Sequence, residues 1–170
     1  RIVVRRMRGA VDSLARFGDA RMKKLELLCV GKIKEDWLTR GIGEYVKRLG
    51  RYCSVTVREI PDRPDDGRAA ETESRELVGA LNGYVVLADI GGSLLTSEEL
   101  AAAIDRAYLG SDRVQFVIGG SRGVTDEVRR RADLRVSFGR VTYPHRLMRL
   151  IAAEQLYRAF SIIAGTSYHK

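Results

Sequence analysis

The sequence predicts an α/β domain: a mostly parallel sheet flanked by helices on both sides. Three observations carry that reading. Strand-type and helix-type segments alternate through residues 22–170. Several strand-type runs, LELLCV at 25–30 and YVVLADI at 84–90 among them, are continuously apolar, as strands covered on two faces are. Glycine-rich segments, Gly91-Gly92 and Gly119 to Gly123, follow two of the strand ends. Open α/β sheets hold ligands outside the carboxyl ends of their strands.

The elements follow in order. Residues 25–30 form a short buried strand, broken by Gly31-Lys32. A helix is expected over 35–49, with Trp37, Ile42, Tyr45, Val46 and Leu49 near helical spacing and Gly50 as its stop. The alternating, β-branched run CSVTVREI at 53–60 reads as a strand. Residues 61–67, PDRPDDG, are a loop, and a charged helix follows over 68–82. The strand at 84–90 is expected to turn at Gly91-Gly92-Ser93. Thr96 and Glu99 have the spacing of a capping box, which opens a helix running to Leu109. Then come a strand at 113–118, a two-turn helix near 125–132 and a strand at 134–138. From Pro144 a helix of about 20 residues, roughly 30 Å long, runs to Ala164.

Residues 1–21 read as an extension outside the domain. They carry six arginines and two acids, and apolar Val4, Met7, Val11 and Leu14 recur at the spacing of a short basic amphipathic helix. Met22 has the look of a natural start. The extension reads first as an upstream-start or tag segment, second as a remnant targeting peptide, third as an arm that contacts RNA.

Bulk properties narrow the function classes. The chain has 170 residues, enough for one domain with a real core, and no run approaches a membrane span. Phosphate-loop patterns with Gly-Lys-Ser/Thr or Gly-x-Gly-x-x-Gly are absent, which argues against a nucleotide hydrolase. Net charge is +8, distributed as +4 over residues 1–21, −2 over 22–120 and +6 over 121–170. A basic C-terminal third is either a solvated arginine face or a footprint for RNA phosphates. Cys29 and Cys53 match no metal or redox spacing and read as buried reduced thiols, which suggests a reducing, cytoplasmic setting.

Three signals in the last third carry chemistry. The loop Ile118-Gly119-Gly120-Ser121-Arg122-Gly123 lets backbone approach a ligand closely. The turn Thr142-Tyr143-Pro144-His145 opens the long helix; His145 reads as either a functional base or a structural helix-start residue. Arg146 and Arg149 lie three apart and read as a phosphate site or a solvated face. In the helix itself Leu147, Ile151, Leu156, Phe160 and Ile163 read as core, with some of the apolar surface left for a partner subunit. Glu154 sits among them and needs a partner, for which Arg158 at i+4 is suited. The tail Tyr168-His169-Lys170 groups an aromatic ring, an imidazole and an ammonium.

With these residues in hand, the chain after the extension resembles the ribosomal RNA large subunit methyltransferase H family of the SPOUT superfamily. The motifs are Val30-Gly31-Lys32, Glu44-Tyr45-Val46-Lys47-Arg48-Leu49, Ile118-Gly119-Gly120 with Gly123, Thr142-Tyr143-Pro144-His145, Glu154-Gln155-Leu156-Tyr157-Arg158-Ala159 and Tyr168-His169-Lys170. The resemblance implies a SPOUT-type α/β fold with a C-terminal trefoil knot, which spacing alone could not reveal. It implies methyl transfer from S-adenosyl-L-methionine to N3 of a pseudouridine in a hairpin loop of 23S rRNA, in a cytoplasmic homodimer acting on ribosomes. No metal and no membrane are called for.

By position, the resemblance implies a cofactor pocket at Gly119 and Gly120, at Phe138, Gly139, Arg140, Val141, Thr142, Tyr143 and Pro144, and at Ala88. Relatives carry a bulkier aliphatic residue where Ala88 stands. The catalytic assignments are His169 for proton handling, Tyr168 for stacking, and Lys170 with Arg158 for phosphate or anion contacts. Whether the tail completes its own pocket or its partner's stays open, as do two rivals: a SPOUT enzyme acting on transfer RNA, and a ribosome-binding protein without catalysis.

Overall fold

The computed structural model describes residues 4–6, 22–64 and 66–169, with the backbone alone at 4–6 and at His169. Its strands are β1 (Val4–Arg6), β2 (Lys24–Val30), β3 (Ser54–Ile60), β4 (Tyr84–Leu94), β5 (Arg113–Ile118) and β6 (Leu134–Ser137). Its α-helices are α1 (Asp36–Leu49), α2 (Ala69–Ala80), α3 (Ser97–Gly110), α4 (Asp126–Arg131) and α5 (His145–Ile163). The sheet order is β1-β3-β2-β5-β4-β6. Every pairing is parallel except that of β1 with β3.

Strand alternation sorts the core into two layers. Leu25, Leu27 and Cys29 of β2, with Val114, Phe116 and Ile118 of β5, face the cluster built with α1, α3 and α5. Leu28, Val30 and Val117 face the smaller cluster under α2 and α4. Both faces of these strands are therefore dry, which accounts for their unbroken apolar runs. One polar pair interrupts them. Gln115 Nε2 donates to Glu26 Oε1 at 2.7 Å and to the Ala80 carbonyl at 3.0 Å. Buried polar side chains that find partners fix register, because a slipped strand would strand them unpaired.

The helix starts follow local chemistry. Thr96 Oγ1 accepts from the Glu99 amide at 3.2 Å, and Glu99 Oε2 accepts from the Thr96 amide at 2.7 Å. α5 begins at His145 with Pro144 as the residue before it, one later than the sequence reading. Both thiols are buried, and burial pushes Cys29 up to about 11 and Cys53 up to about 12.

Two expectations about local structure fail. Val4–Arg6 is a strand on the edge of β3, not part of an amphipathic helix; the expected helix otherwise falls on residues outside those described. Gly91-Gly92-Ser93 does not turn the chain. β4 continues to Leu94 with an irregularity, and Ala88 and Ser93 both oppose Val136 of β6. Gly92 permits that approach, since a Cβ there would stand 2.7 Å from the Arg135 carbonyl carbon and the Val136 nitrogen. The glycine serves a backbone-on-backbone contact.

Candidate active site

A cleft of about 630 Å³ opens at the carboxyl ends of β4, β5 and β6, within the usual range for a small-molecule site. Three segments build it. The first is Ala88, Asp89 and Ile90 of β4. The second is the glycine loop after β5: Gly119, Gly120, Ser121, Gly123 and Val124. The third runs from the end of β6 into α5: Phe138, Gly139, Val141, Thr142, Tyr143, Pro144, His145 and Met148. Nine of the ten residues expected to hold the cofactor line this cleft. Arg140 is exposed and is not among the lining residues.

Each loop is held by its own chemistry. The glycine loop is a tight turn in which the Gly123 amide donates to the Gly120 carbonyl at 3.0 Å, with Gly123 at φ +74. Gly119 has no room for a side chain: a Cβ would stand 2.6 Å from Val124 Cγ1. In the third segment Ser137 Oγ donates to the Gly139 carbonyl at 2.8 Å, and Gly139 sits at φ +132. Phe138 packs against Phe116 with ring centroids 6.1 Å apart, so this segment is anchored to the core.

The cleft also contains one carboxylate the sequence reading missed, and the histidine it left open. Asp89 is a partly buried carboxylate on its wall, held between Arg129 Nε at 3.4 Å and Arg135 Nη1 at 3.5 Å. Its position as the acid within the apolar run of β4 was the available signal; its arginine partners, 40 and more residues away, gave none. His145 is half-buried in the wall. Burial and the neighbouring Arg149 and Arg146 hold its imidazole below the usual histidine range, against the pull of Asp62 and Glu35.

Arg149 is neither a phosphate ligand nor part of a solvated face. It is 2% exposed. Its Nη1 donates to Glu59 Oε1 at 3.0 Å, and its Nη2 donates to the Val30 carbonyl and, at 2.6 Å, to the Gly31 carbonyl. It ties the first turns of α5 to the ends of β2 and β3. Arg146 pairs with Glu35 at 2.8 Å.

The tail gathers elsewhere. Residues Ser167–His169 form a short 3-10 turn. Tyr168 packs edge-on against Tyr157 at 4.6 Å, lies under the Arg158 guanidinium at 5.0 Å, and donates its hydroxyl to Glu154 Oε1 at 3.2 Å. Glu154 also accepts from Arg158 Nη2 at 2.6 Å, the i+4 pairing expected from the sequence. Burial first, then the Tyr45 hydroxyl and the Glu154 charge, push the Tyr168 phenol up to about 12. The His169 side chain and Lys170 lie outside the described residues. None of Glu154, Arg158 or Tyr168 lines the cleft. Six helical positions separate Met148, the last residue of α5 to line the cleft, from Glu154, about 9 Å of rise, so within one chain the clasp and the cleft stand apart.

Comparison with known proteins bears on both regions. Residues 22–169 match the family model described as "Predicted SPOUT methyltransferase". The chain is 44% identical over 158 residues to "Ribosomal RNA large subunit methyltransferase H" of Carboxydothermus hydrogenoformans, covering 86% of this chain and 99% of that protein. It is 43% identical over 157 residues to the protein of the same name from Listeria monocytogenes serotype 4a, with the same coverage. Among solved structures it resembles a probable methylase family protein from Haemophilus influenzae, with a TM-score of 0.50 and 11% identity over 86% of this chain and 70% of that one. That last likeness concerns the fold alone.

Proposed function

The chain belongs to the SPOUT methyltransferase family, and on that premise we propose that it methylates N3 of a pseudouridine in a hairpin loop of 23S rRNA, using S-adenosyl-L-methionine. The observation that carries the proposal is the cleft walled by three backbone loops at the carboxyl ends of β4, β5 and β6. Gly119 and Gly120 have no room for a Cβ, so this part of the wall offers a ligand backbone alone. The names and near-full coverage of the relatives support the substrate class.

The cofactor supplies an activated methyl group on a sulfonium. The chain's own task is then positioning: in-line geometry is worth several kcal/mol of barrier without any bond made by the protein. The glycine loop and the Phe138–Pro144 segment hold the donor by backbone groups, and the anchored Phe138 keeps that wall in place. N3 of the base must lose its proton, and His169 is the group we assign to accept it. Tyr168 stacks on a base, and Lys170 with Arg158 contacts phosphate. Arg158 leaves 26% of its side chain exposed while bound to Glu154.

We propose that the working unit is a cytoplasmic homodimer in which the tail of one copy completes the cleft of the other. The separation of tail and cleft in one chain supports this. So do the exposed apolar side chains Ile90 and Val141 at the cleft and Leu94 at the end of β4. Leu147 and Ile151 of α5 add to this, since they are only partly buried. Among the described residues, no helix is long and apolar enough to cross a membrane. We assign the activity to residues 22–170, since the family match begins at Met22, and treat 1–21 as an extension. A chain starting at Met22 should methylate as well as the longer one.

The near-neutral charge of residues 22–120 gives modest affinity for bare RNA. Assembled ribosomes should therefore be methylated far faster than a short naked hairpin; equal rates would contradict that. Incubation with ribosomes and labelled cofactor, followed by mass spectrometry of the rRNA, tests the assignment as a whole.

A further inference from the structure

Behind the glycine loop stands a buried carboxylate that the proposed chemistry leaves without a role. Glu73 and Ser74 are neighbours on α2, 4% and 2% exposed, on a helix that contributes nothing to the cleft lining. Ser74 Oγ accepts from the Thr125 amide at 2.9 Å, at the far end of the glycine loop. Glu73 Oε1 accepts from the Arg63 amide at 2.8 Å. The other Glu73 oxygen lies against Gly120. A Cβ on Gly120 would run into that oxygen and would stand 3.2 Å from both the Glu73 carboxyl carbon and Val30 Cγ1. Gly120 itself lines the cleft. One glycine residue therefore separates this carboxylate from the space where a ligand would lie.

The charge on Glu73 is poorly compensated. The Arg63 guanidinium, whose charge acts on Glu73, is bound to Glu76. Asp62 and Glu76 add further negative charge nearby. The contrast with Asp89, the carboxylate that lines the cleft from β4, is direct: Asp89 is shared between two arginines. A carboxylate in a poorly solvated position acts over a longer range than one in water, because less solvent screens it.

We infer that Glu73, acting through Gly120, is the residue by which the cleft favours a cationic sulfonium donor over the neutral thioether product. The inference rests on the proposed use of S-adenosyl-L-methionine. The donor carries one positive charge more than S-adenosylhomocysteine, and that charge is the only difference an anion behind the loop can read at a distance. The same preference would speed product release after each transfer. Burial raises the Glu73 carboxyl above its usual range, against the Arg63 amide and guanidinium. The preference should accordingly fade as pH falls through that raised range, since the protonated carboxyl has no charge to offer.

Calorimetric titration of the full chain with each ligand tests this. Glu73→Gln, close in shape but uncharged, should weaken S-adenosyl-L-methionine about tenfold and S-adenosylhomocysteine less than about twofold. Ser74→Ala, which loosens the loop without removing charge, should weaken both alike. In His145→Gln, where no lining imidazole gains charge on acidification, lowering the pH should reduce affinity for the cation and leave the thioether unchanged; this series keeps Glu73 and holds even if Glu73→Gln folds poorly. Equal losses for both ligands in Glu73→Gln, or parallel pH profiles, would overturn the inference while leaving the proposed function intact. Absence of binding by the wild-type chain to either ligand would overturn the proposed function and this inference with it.

Discussion

The two halves of α5 do opposite kinds of work. Its first turns are sewn into the sheet: Arg149, 2% exposed, spends its guanidinium on Glu59 and on the carbonyls that end β2. Its second half carries Glu154 and Arg158, which with Tyr168 of the tail make a polar clasp that remains partly wet. A buried ion pair that loses one partner leaves an uncompensated charge in a dry place. A half-exposed pair that loses one partner lets water in. The cleft end is thus built for fixed geometry and the tail end for a contact that can be exchanged, as a tail serving a second copy needs.

The largest effect expected is at Arg149. Arg149→Ala should cost about 3–5 kcal/mol of folding stability, and Arg149→Lys should recover little because an ammonium lacks the planar fork. Urea unfolding checks both, and a loss under about 1 kcal/mol would break the contrast between the halves. Next is Gly120→Ala, whose new methyl group meets the Glu73 carboxylate. Overpacking of this kind costs about 1–3 kcal/mol, and the displaced loop should weaken cofactor binding at least about tenfold. Unchanged affinity in calorimetry would mean the loop is not a wall of the working site.

At the clasp the effects should be smaller in stability and larger in turnover. Arg158→Ala should cost about 1 kcal/mol or less, leave cofactor affinity unchanged and lower kcat. Loss of cofactor affinity instead would put the clasp and cleft in one unit. Titration gives the finest test. The Tyr168 phenol is raised from 10.0 to about 12 in the folded chain. A raised acid favours folding fully below its unfolded value and loses that contribution as pH climbs through the folded one. The clasp should thus hold below about pH 10 and loosen between about 10 and 12, which ultraviolet titration of the tyrosines, compared with Tyr168→Phe, would follow.

Much of this was legible in the sequence, for reasons particular residues make plain. The strands are readable because both faces are dry, as Leu27 and Leu28 fall in different core layers. The capping box at Thr96 and Glu99, and the Glu154–Arg158 pair, are local contacts whose spacing states their geometry. The illegible parts are contacts distant in sequence. Arg149 meets Glu59 across 90 positions, and Glu73 meets Gly120 through the packing of α2 on the sheet. Gly92 looked like a turn because a glycine that admits a crossing backbone and one that turns the chain are the same letter.

The position of the transferred methyl group decides the proposed activity. Ribosomes lacking the modification are incubated with the chain and isotopically labelled S-adenosyl-L-methionine, and the rRNA is digested for mass spectrometry. Label is expected on N3 of one pseudouridine in 23S rRNA, lost in a chain without residues 168–170 and, when that chain is mixed with one carrying Gly120→Ala, restored above the level either chain gives alone, so that an intact tail meets an intact cleft. Label in transfer RNA, no label at all, or full activity without the tail would contradict it.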